Sequence, residues 1–339
     1  MYRCLDLASK GKGLVSPNPL VGAVIVHENK IIGEGYHQAF GGPHAEINAI
    51  KNVKDKSLLK SSTLYVNLEP CSHHGKTPPC CNTIVENGIP NVVIGSGDPN
   101  EKVNGKGIDF LKKNNVNVIE DVLKEKSEEI NRKFYTFHKQ KRPYITLKWA
   151  ETLDGFIDKK RKSSSIKEIN WISDENTKTL VHQWRSEHDA ILVGRKTIEN
   201  DNPSLTVRLV KGKNPLRIVI DPLLKLSNDF HILKDEHPLI ILNEKIDKSK
   251  GKIKYVKFDK NNLLSSMNSF LFQNNIQSLL IEGGAKTIDS FINEGNWDEA
   301  NILIGNKKFN EGTSAPKINT SPSSIIKHGE DKIINFRND

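Results

Sequence analysis

Cysteine is scarce here, with four in 339 residues. That excludes a disulfide-stapled scaffold, the more so because Cys71, Cys80 and Cys81 crowd into one short stretch. In a reducing compartment such crowding suits metal ligation better than crosslinking. Aromatic residues make up only 6% and do not interleave with cations, which argues against a nucleic-acid platform. No apolar run approaches the ~18 residues that a membrane span needs. The N-terminal stretch also lacks a signal-peptide apolar segment. The expected address is therefore cytoplasmic, with no membrane partner. An acidic excess is missing too, because the formal net charge is +9. The lysines are spread along the whole chain, so the charge reads as a solvated surface and not as a nucleic-acid footprint. The one dense run, Lys159-Lys160-Arg161-Lys162, lies among serines and reads as a surface loop.

What is present is an ordinary globular mixture, 36% apolar and 27% charged. The length suits two domains of roughly 100–200 residues each. In the first half, residues 2–10 form an amphipathic helix and Ser16-Pro17-Asn18-Pro19 a rigid turn, since two prolines fix φ and restrict their neighbours. Stretches 21–26 and 30–35 read as a hairpin. A helix starts at Pro43, with Ile47, Ile50 and Val53 at helical spacing. Strands follow at 64–68, 92–95 and 116–119, and helices at about 80–87 and 107–113. Apolar strands alternating with helices predict a sandwiched α/β layer. A charged helical connector over 126–141 ends at Arg142-Pro143, which places the boundary there: 1–142 and 143–339. In the second half, strands at 144–150, 190–193, 216–221, 239–242, 255–258 and 278–282 are interspersed with helices at about 174–186, 262–273 and 287–294. A polar loop covers 193–208, and the tail after Trp297-Asp298-Glu299 is compact and ends in polar residues.

Chemistry concentrates in two stretches of the first half. His44 and Glu46 open a helix, Pro70-Cys71 leaves a strand, and Cys80-Cys81 begins another helix. A histidine, a carboxylate two residues on, Pro-Cys and a second cysteine form the ligand-and-base set of zinc-dependent deaminases. Residues two apart do not share a helix face. One metal site can meet both His44 and Glu46 only off the helix end, where the positive end of the helix favours an ionised water. Three protein ligands leave a coordination position open, as catalytic zinc requires. Glu46 is then the spare carboxylate that moves protons. The competing arrangement closes the site with His73 or His74 and leaves Glu46 an ordinary surface charge. Which of Cys80 and Cys81 ligates is open on spacing alone. In the second half, Glu282-Gly283-Gly284-Ala285-Lys286-Thr287 lies between a strand and a helix, where small residues let backbone N–H groups approach a phosphate. A glycine pair there can equally be a tight turn.

The eight residues between Cys71 and Cys80, together with Pro17-Asn18-Pro19, His37 and Asp98-Pro99-Asn100, resemble the deaminase half of the bifunctional riboflavin-biosynthesis deaminase–reductase family. In the second half the resemblance continues. It rests on Lys148-x-Ala150-x-Thr152-Leu153-Asp154-Gly155, Trp171-Ile172-Ser173, Arg185, Thr197, Asp201-x-Pro203-x-Leu205-Thr206-x-Arg208 and Glu282-Gly283-Gly284. It implies an α/β fold class throughout: a cytidine-deaminase-like three-layer α/β/α domain, then a dihydrofolate-reductase-like domain. It implies zinc-hydroxide deamination of a diaminopyrimidinone ribosylamine 5'-phosphate, then NADPH reduction of the ribose to a ribityl chain. By the same resemblance Cys80 joins His44 and Cys71 as zinc ligand, and Asn18, His37 and Lys76 contact the deaminase substrate. Ala150, Trp171, Thr197, Asp201 and the loop Gly284, Ala285, Lys286, Thr287, Ile288, Asp289 and Ser290 hold NADPH. Arg185, Leu205, Arg208 and Glu282 face the reductase substrate, two guanidinium forks suiting one phosphate. The expected partners are this small-molecule substrate, no nucleic acid, and a second copy through the reductase domain.

Two positions depart from the family. Ile169 stands where a serine is usual, removing a polar substrate contact, and Pro222 removes a possible cofactor hydrogen bond. Both bear on how efficient the reductase is. The rival readings are a nucleic-acid deaminase with a binding domain, and a binding protein stabilised by zinc. The first needs a basic stripe with exposed aromatics. The second would unfold on losing its metal, whereas a catalytic site would lose activity and largely keep its fold.

Overall fold

The computed structural model describes residues 1–72, 78–101, 103–161 and 169–338. The chain divides into two compact units, Met1–Lys141 and Arg142–Asp339.

The first unit runs α1 (Tyr2–Ser9), β1 (Gly22–His27), β2 (Lys30–Tyr36), α2 (Ala45–Asn52), β3 (Thr63–Leu68), α3 (Cys80–Glu86), β4 (Asn91–Ser96), α4 (Lys106–Lys113), β5 (Asn117–Ile119), α5 (Lys124–Ile130) and α6 (Arg132–Gln140). Its sheet has the order β2-β1-β3-β4-β5. The β1/β2 and β1/β3 pairs are antiparallel, and β3/β4 and β4/β5 parallel. Side chains alternate across the sheet. Ala23 and Ile25 pack with Ala49 and Ile50 of α2, Ile84 of α3 and Leu111 of α4. Val24, between them in sequence, packs with Cys4 and Leu7 of α1. Helices thus cover both faces, which makes three layers. The expected connector over 126–141 is two helices. Between them stands Asn131, whose side chain accepts from the Leu20 N–H (2.7 Å) and donates to the Leu20 carbonyl (2.9 Å). That long-range pairing of a buried amide wins over helical continuity.

The second unit runs β6 (Tyr144–Thr152), β7 (Phe156–Lys159), α7 (Glu175–Ser186), β8 (Ala190–Gly194), α8 (Arg195–Asp201), β9 (Leu216–Ile220), α9 (His231–Lys234), β10 (Leu239–Asn243), β11 (Lys248–Lys250), β12 (Ile253–Lys257), α10 (Leu263–Gln273), β13 (Ser278–Ile281), α11 (Ala285–Asn293), β14 (Glu299–Gly305), β15 (Gly312–Ser314), β16 (Ser324–His328) and β17 (Asp331–Arg337). A ten-stranded sheet has the order β11-β12-β10-β9-β8-β13-β6-β14-β17-β16. Its strands from β12 to β14 in that order are parallel. Ala190 and Leu192 of β8 face a core with Leu264, Met267 and Leu271 of α10 and Phe291 of α11. Ile191 and Val193 face Ile198 of α8 and Ile232 of α9. Strands buried on both faces read as continuous apolar runs, so periodicity identified them well.

The structure corrects two expectations. The tail, in which no strand was expected, contributes β14, β15, β16 and β17, of which β14 pairs in parallel with β6. The stretch read as a polar loop over 193–208 contains helix α8, whose one core contact is Ile198. Among the described residues, no helix is long and apolar enough to cross a membrane.

Candidate functional site

In the first unit, His44 is the N-cap of α2, in extended conformation, and Glu46 lies in the first helical turn. Cys71 comes three residues after β3 ends, and Cys80 is the first residue of α3. The His44 Nδ1 lies 3.5 Å from the Cys71 Sγ and 3.3 Å from the Cys80 Sγ. All three donor atoms lie within 4.8 Å of one another. Tetrahedral zinc bonds of about 2.0–2.3 Å set nitrogen–sulfur separations of about 3.5 Å. Two thiols and an imidazole at this spacing therefore fit zinc. Cys81 points elsewhere: its Sγ lies 3.2 Å from the Pro70 carbonyl and 3.5 Å from that of Gly107, within the core. The Cys80 hydrogen bond and the His44 imidazole hold the Cys71 thiol well below its ordinary range against burial, which favours the ligating thiolate.

Glu46 is only 3% exposed, and among the described residues its Oε2 has no hydrogen-bond partner. Burial holds its carboxyl above the usual range, against the nearby His44. A buried carboxyl with an orphan oxygen beside three metal donors is poised to carry a proton. His37 is buried; its Nδ1 donates to the Pro43 carbonyl (3.0 Å), so in the neutral ring its Nε2 accepts from the Asn18 amide (3.0 Å). Burial lowers the His37 pKa. Asn18 and His37 are thereby fixed as a pair directly before His44. Lys76, and the alternative ligands His73 and His74, lie outside the described residues.

The spacing of motifs gave no hint of Glu69. This buried carboxylate accepts from four backbone N–H groups, those of Asp98, Gly105, Gly107 and Ile108, at 2.9–3.3 Å. It ties the strand exit that carries Cys71 to the Asp98-Pro99-Asn100 loop. Asp98 itself is buried, and burial lifts its carboxyl to about 7.

In the second unit, Gly283 has φ 139°, a conformation that favours glycine. A Cβ on Gly283 or on Gly284 would stand 3.3 Å from the Thr197 Oγ1, and Gly194 donates its N–H to the Gly283 carbonyl at 2.9 Å. Thr197, the glycine pair and the N-terminus of α11 therefore form one cradle that side chains would fill. This shape fits a phosphate-bearing cofactor. Along α11, the N–H groups of Thr287 and Ile288 already bond the Gly284 carbonyl, which leaves those of Ala285 and Lys286 at the open end. The Ile288 side chain is fully buried in the core, so a side-chain contact from Ile288 to a cofactor is excluded. Asp289 and Ser290 are half-buried further along the helix. Asp201 pairs with Arg161 at 3.0 Å, and burial lifts its carboxyl to about 6. Arg161, read as part of a surface loop, is instead held by Asp158 as well. In the same basic run Lys159 ends β7, and Lys162 lies outside the described residues. Trp171 is half-exposed, with the Lys178 ammonium 3.9 Å over its ring, and Ala150 is half-buried in β6.

The expected substrate residues separate. Arg185 gives its Nε and Nη2 to Glu282 (2.7 and 2.8 Å) and its Nη1 to the Thr206 carbonyl (3.2 Å). Its fork is thus spent on a carboxylate, and the expectation of two forks on one phosphate reduces to Arg208, whose side chain is exposed. Leu205 is 2% exposed and packs in the core with φ 56°, so its side chain cannot contact substrate. Sequence reasoning gave no role to Lys148, whose Nζ lies 3.6 Å from Glu282, or to His182. The His182 Nδ1 accepts the Arg208 backbone N–H at 2.9 Å. These residues are far apart in sequence and meet only through β6, α7 and β13. Burial opposes ionisation of Glu282, but Arg185 and Lys148 together hold its carboxyl down to about 2. Ile169 is exposed, and Pro222 accepts the Glu244 N–H at 2.9 Å through its carbonyl.

Residues 1–96 match the cytidine and deoxycytidylate deaminase zinc-binding region, and residues 143–311 the RibD C-terminal domain. The riboflavin biosynthesis protein RibD of Aquifex aeolicus is 39% identical, over 99% of this chain and 97% of that protein. The one from Bacillus amyloliquefaciens is 38% identical, over 94% and 86%. The crystal structure of a diaminohydroxyphosphoribosylaminopyrimidine deaminase/5-amino-6-(5-phosphoribosylamino)uracil reductase from Thermotoga maritima superposes with a TM-score of 0.87 at 36% identity, covering 99% of this chain and 97% of that one. With identity at this level along almost its whole length, the chain belongs to the RibD family of riboflavin-biosynthesis proteins.

Proposed function

We propose that this chain is a bifunctional enzyme of riboflavin biosynthesis. Residues 1–142 deaminate a diaminopyrimidinone ribosylamine 5'-phosphate, and residues 143–339 reduce the ribose of the product to a ribityl chain. The observation that carries the reading is the His44, Cys71 and Cys80 cluster beside the orphan oxygen of Glu46, in a chain aligned end to end with RibD proteins.

His44, Cys71 and Cys80 would hold zinc, which supplies Lewis-acid activation of the water that replaces the amine. Glu46, its carboxyl raised by burial, takes a proton from that water and delivers protons to the ring nitrogen and the departing ammonia. Asn18 and His37 line the approach as a fixed pair, and Lys76 is a phosphate partner. In the second unit, Thr197, Gly284, Ala285 and Lys286 would cradle NADPH, with Thr287, Asp289, Ser290, Ala150, Trp171 and Asp201 bordering it. NADPH supplies the hydride. Arg185 and Lys148 keep Glu282 ionised and in place, and Arg208 meets the substrate phosphate.

The partner is a small molecule in the cytoplasm, not a nucleic acid. The second unit also carries a self-association surface: its edge strand β16 exposes Ile325 (62%) and Ile326 (52%). The opposite edge, β11, is shielded by Lys248 and Lys250.

Glu46→Gln tests the first role. Ammonia release should be abolished while the purified protein keeps one zinc per chain by metal analysis. Loss of zinc would make Glu46 a ligand instead of a proton carrier.

A further inference from the structure

We propose that His182 is a further substrate-binding residue of the second unit, donating its Nε2–H to the phosphate of a sugar-phosphate ligand. The proposal rests on the reductase reading and adds a residue to that site. His182 lies on α7 one turn before Arg185, so both project from the same helix face. The residue is 6% exposed. The Arg208 backbone N–H donates to Nδ1 at 2.9 Å, so in the neutral ring the proton sits on Nε2. Among the described residues, Nε2 has no hydrogen-bond partner. Nε2 is not among the buried atoms closed off from solvent, so its N–H is open to a ligand oxygen.

The surroundings say which ligand. Lys148, Arg185 and Arg208 stand around the ring against the single carboxylate of Glu282. Arg185 is committed to Glu282, and Arg208 spends one nitrogen on the Thr206 hydroxyl at 2.9 Å. The excess of positive charge calls for an anion. Burial, then Arg185 and Arg208, lowers the His182 pKa to about 4, which keeps the ring neutral near pH 7. A neutral imidazole suits this position because it offers an N–H to a phosphate oxygen without adding a fourth cation to a crowded site. The same hydrogen bond from Arg208 fixes the tautomer and couples the ring to the loop that carries the other phosphate donor.

The test uses the full chain with zinc and NADPH. Ribose 5-phosphate binding is measured by calorimetry, and the reductase KM is measured for both substrates. His182→Phe keeps the ring shape and removes the donor. It should weaken ribose 5-phosphate about tenfold and raise KM for the phosphorylated substrate by a similar factor, with KM for NADPH unchanged. His182→Gln, which can accept from Arg208 and still donate, should recover part of the loss. An unchanged urea-unfolding midpoint of the second unit reports that each variant is folded. If both variants bind ribose 5-phosphate as the wild type does, or if KM for NADPH moves as much as KM for the substrate, His182 is not a phosphate donor. If the wild type itself does not bind ribose 5-phosphate, the sugar-phosphate reading of the site fails and takes this proposal with it.

Discussion

At the scale of single residues, Glu282 shows how a charge is kept in a buried site. Its side chain is 6% exposed and holds Arg185 through two hydrogen bonds, with Lys148 at 3.6 Å. Removing one partner of such a network leaves uncompensated buried charge, at a cost on the order of 3–5 kcal/mol. Glu282→Gln should therefore lower the urea-unfolding stability of the second unit by about that amount near neutral pH and abolish reductase turnover, while ammonia release persists. A loss under about 1 kcal/mol would mean that Arg185 and Lys148 find water or another anion. The sign of the pH dependence follows from the folded value of about 2 against an ordinary 4.5. A depressed carboxyl stabilises fully above its unfolded value, and that stabilisation is lost as pH falls through about 2. The variant should lack this part of the acid-unfolding curve. His44, Glu46 and Cys71 were legible because they sit in short motifs. The spacing could not decide Cys80 against Cys81, and the structure separates them by direction: one thiol meets His44, the other enters the core. Glu69 and His182 carried no local signal, and Lys148 stood in a motif without a role, since their partners come from distant strands and loops.

At the scale of elements, what was legible followed burial. Strands covered on both faces, such as β8 to β10, announce themselves as apolar runs. Of the strands missed, β7, β15 and β16 have no fully buried position and β11 is exposed throughout, while β14 and β17 do carry buried residues. They exist because backbone pairing partners are available, as in β16 against β17 and β7 against β15. Helix α8 was hidden for a similar reason, because only one of its residues is buried. The packing of α1 on β1 gives a test of element contacts. A Cβ at Gly22 would lie 2.1 Å from the Cys4 carbonyl and 2.8 Å from the Ala8 nitrogen, both backbone atoms of α1. Gly22→Ala must push the helix off the strand. Overpacking of this kind costs about 1–3 kcal/mol or more, and chemical denaturation of the first unit would read it. An unchanged midpoint would show that α1 shifts freely.

At the scale of the whole molecule, two units with separate cores carry separate chemistry, so damage to one site should spare the other. The proposed self-association surface lies on the second unit, at β16. Ile325→Glu with Ile326→Glu should shift the sedimentation coefficient to that of a single chain without loss of ammonia release, and an unchanged assembly would place the contact elsewhere. The most direct test of the two activities is a single incubation. Purified, zinc-loaded protein is given the diaminopyrimidinone ribosylamine 5'-phosphate, with and without NADPH, while ammonia and NADPH are followed together. Ammonia is expected in both samples and, where NADPH is present, its consumption in step with the deaminated product. Ammonia with no NADPH consumption would contradict the reductase assignment, and the absence of both signals would contradict the function proposed for this chain.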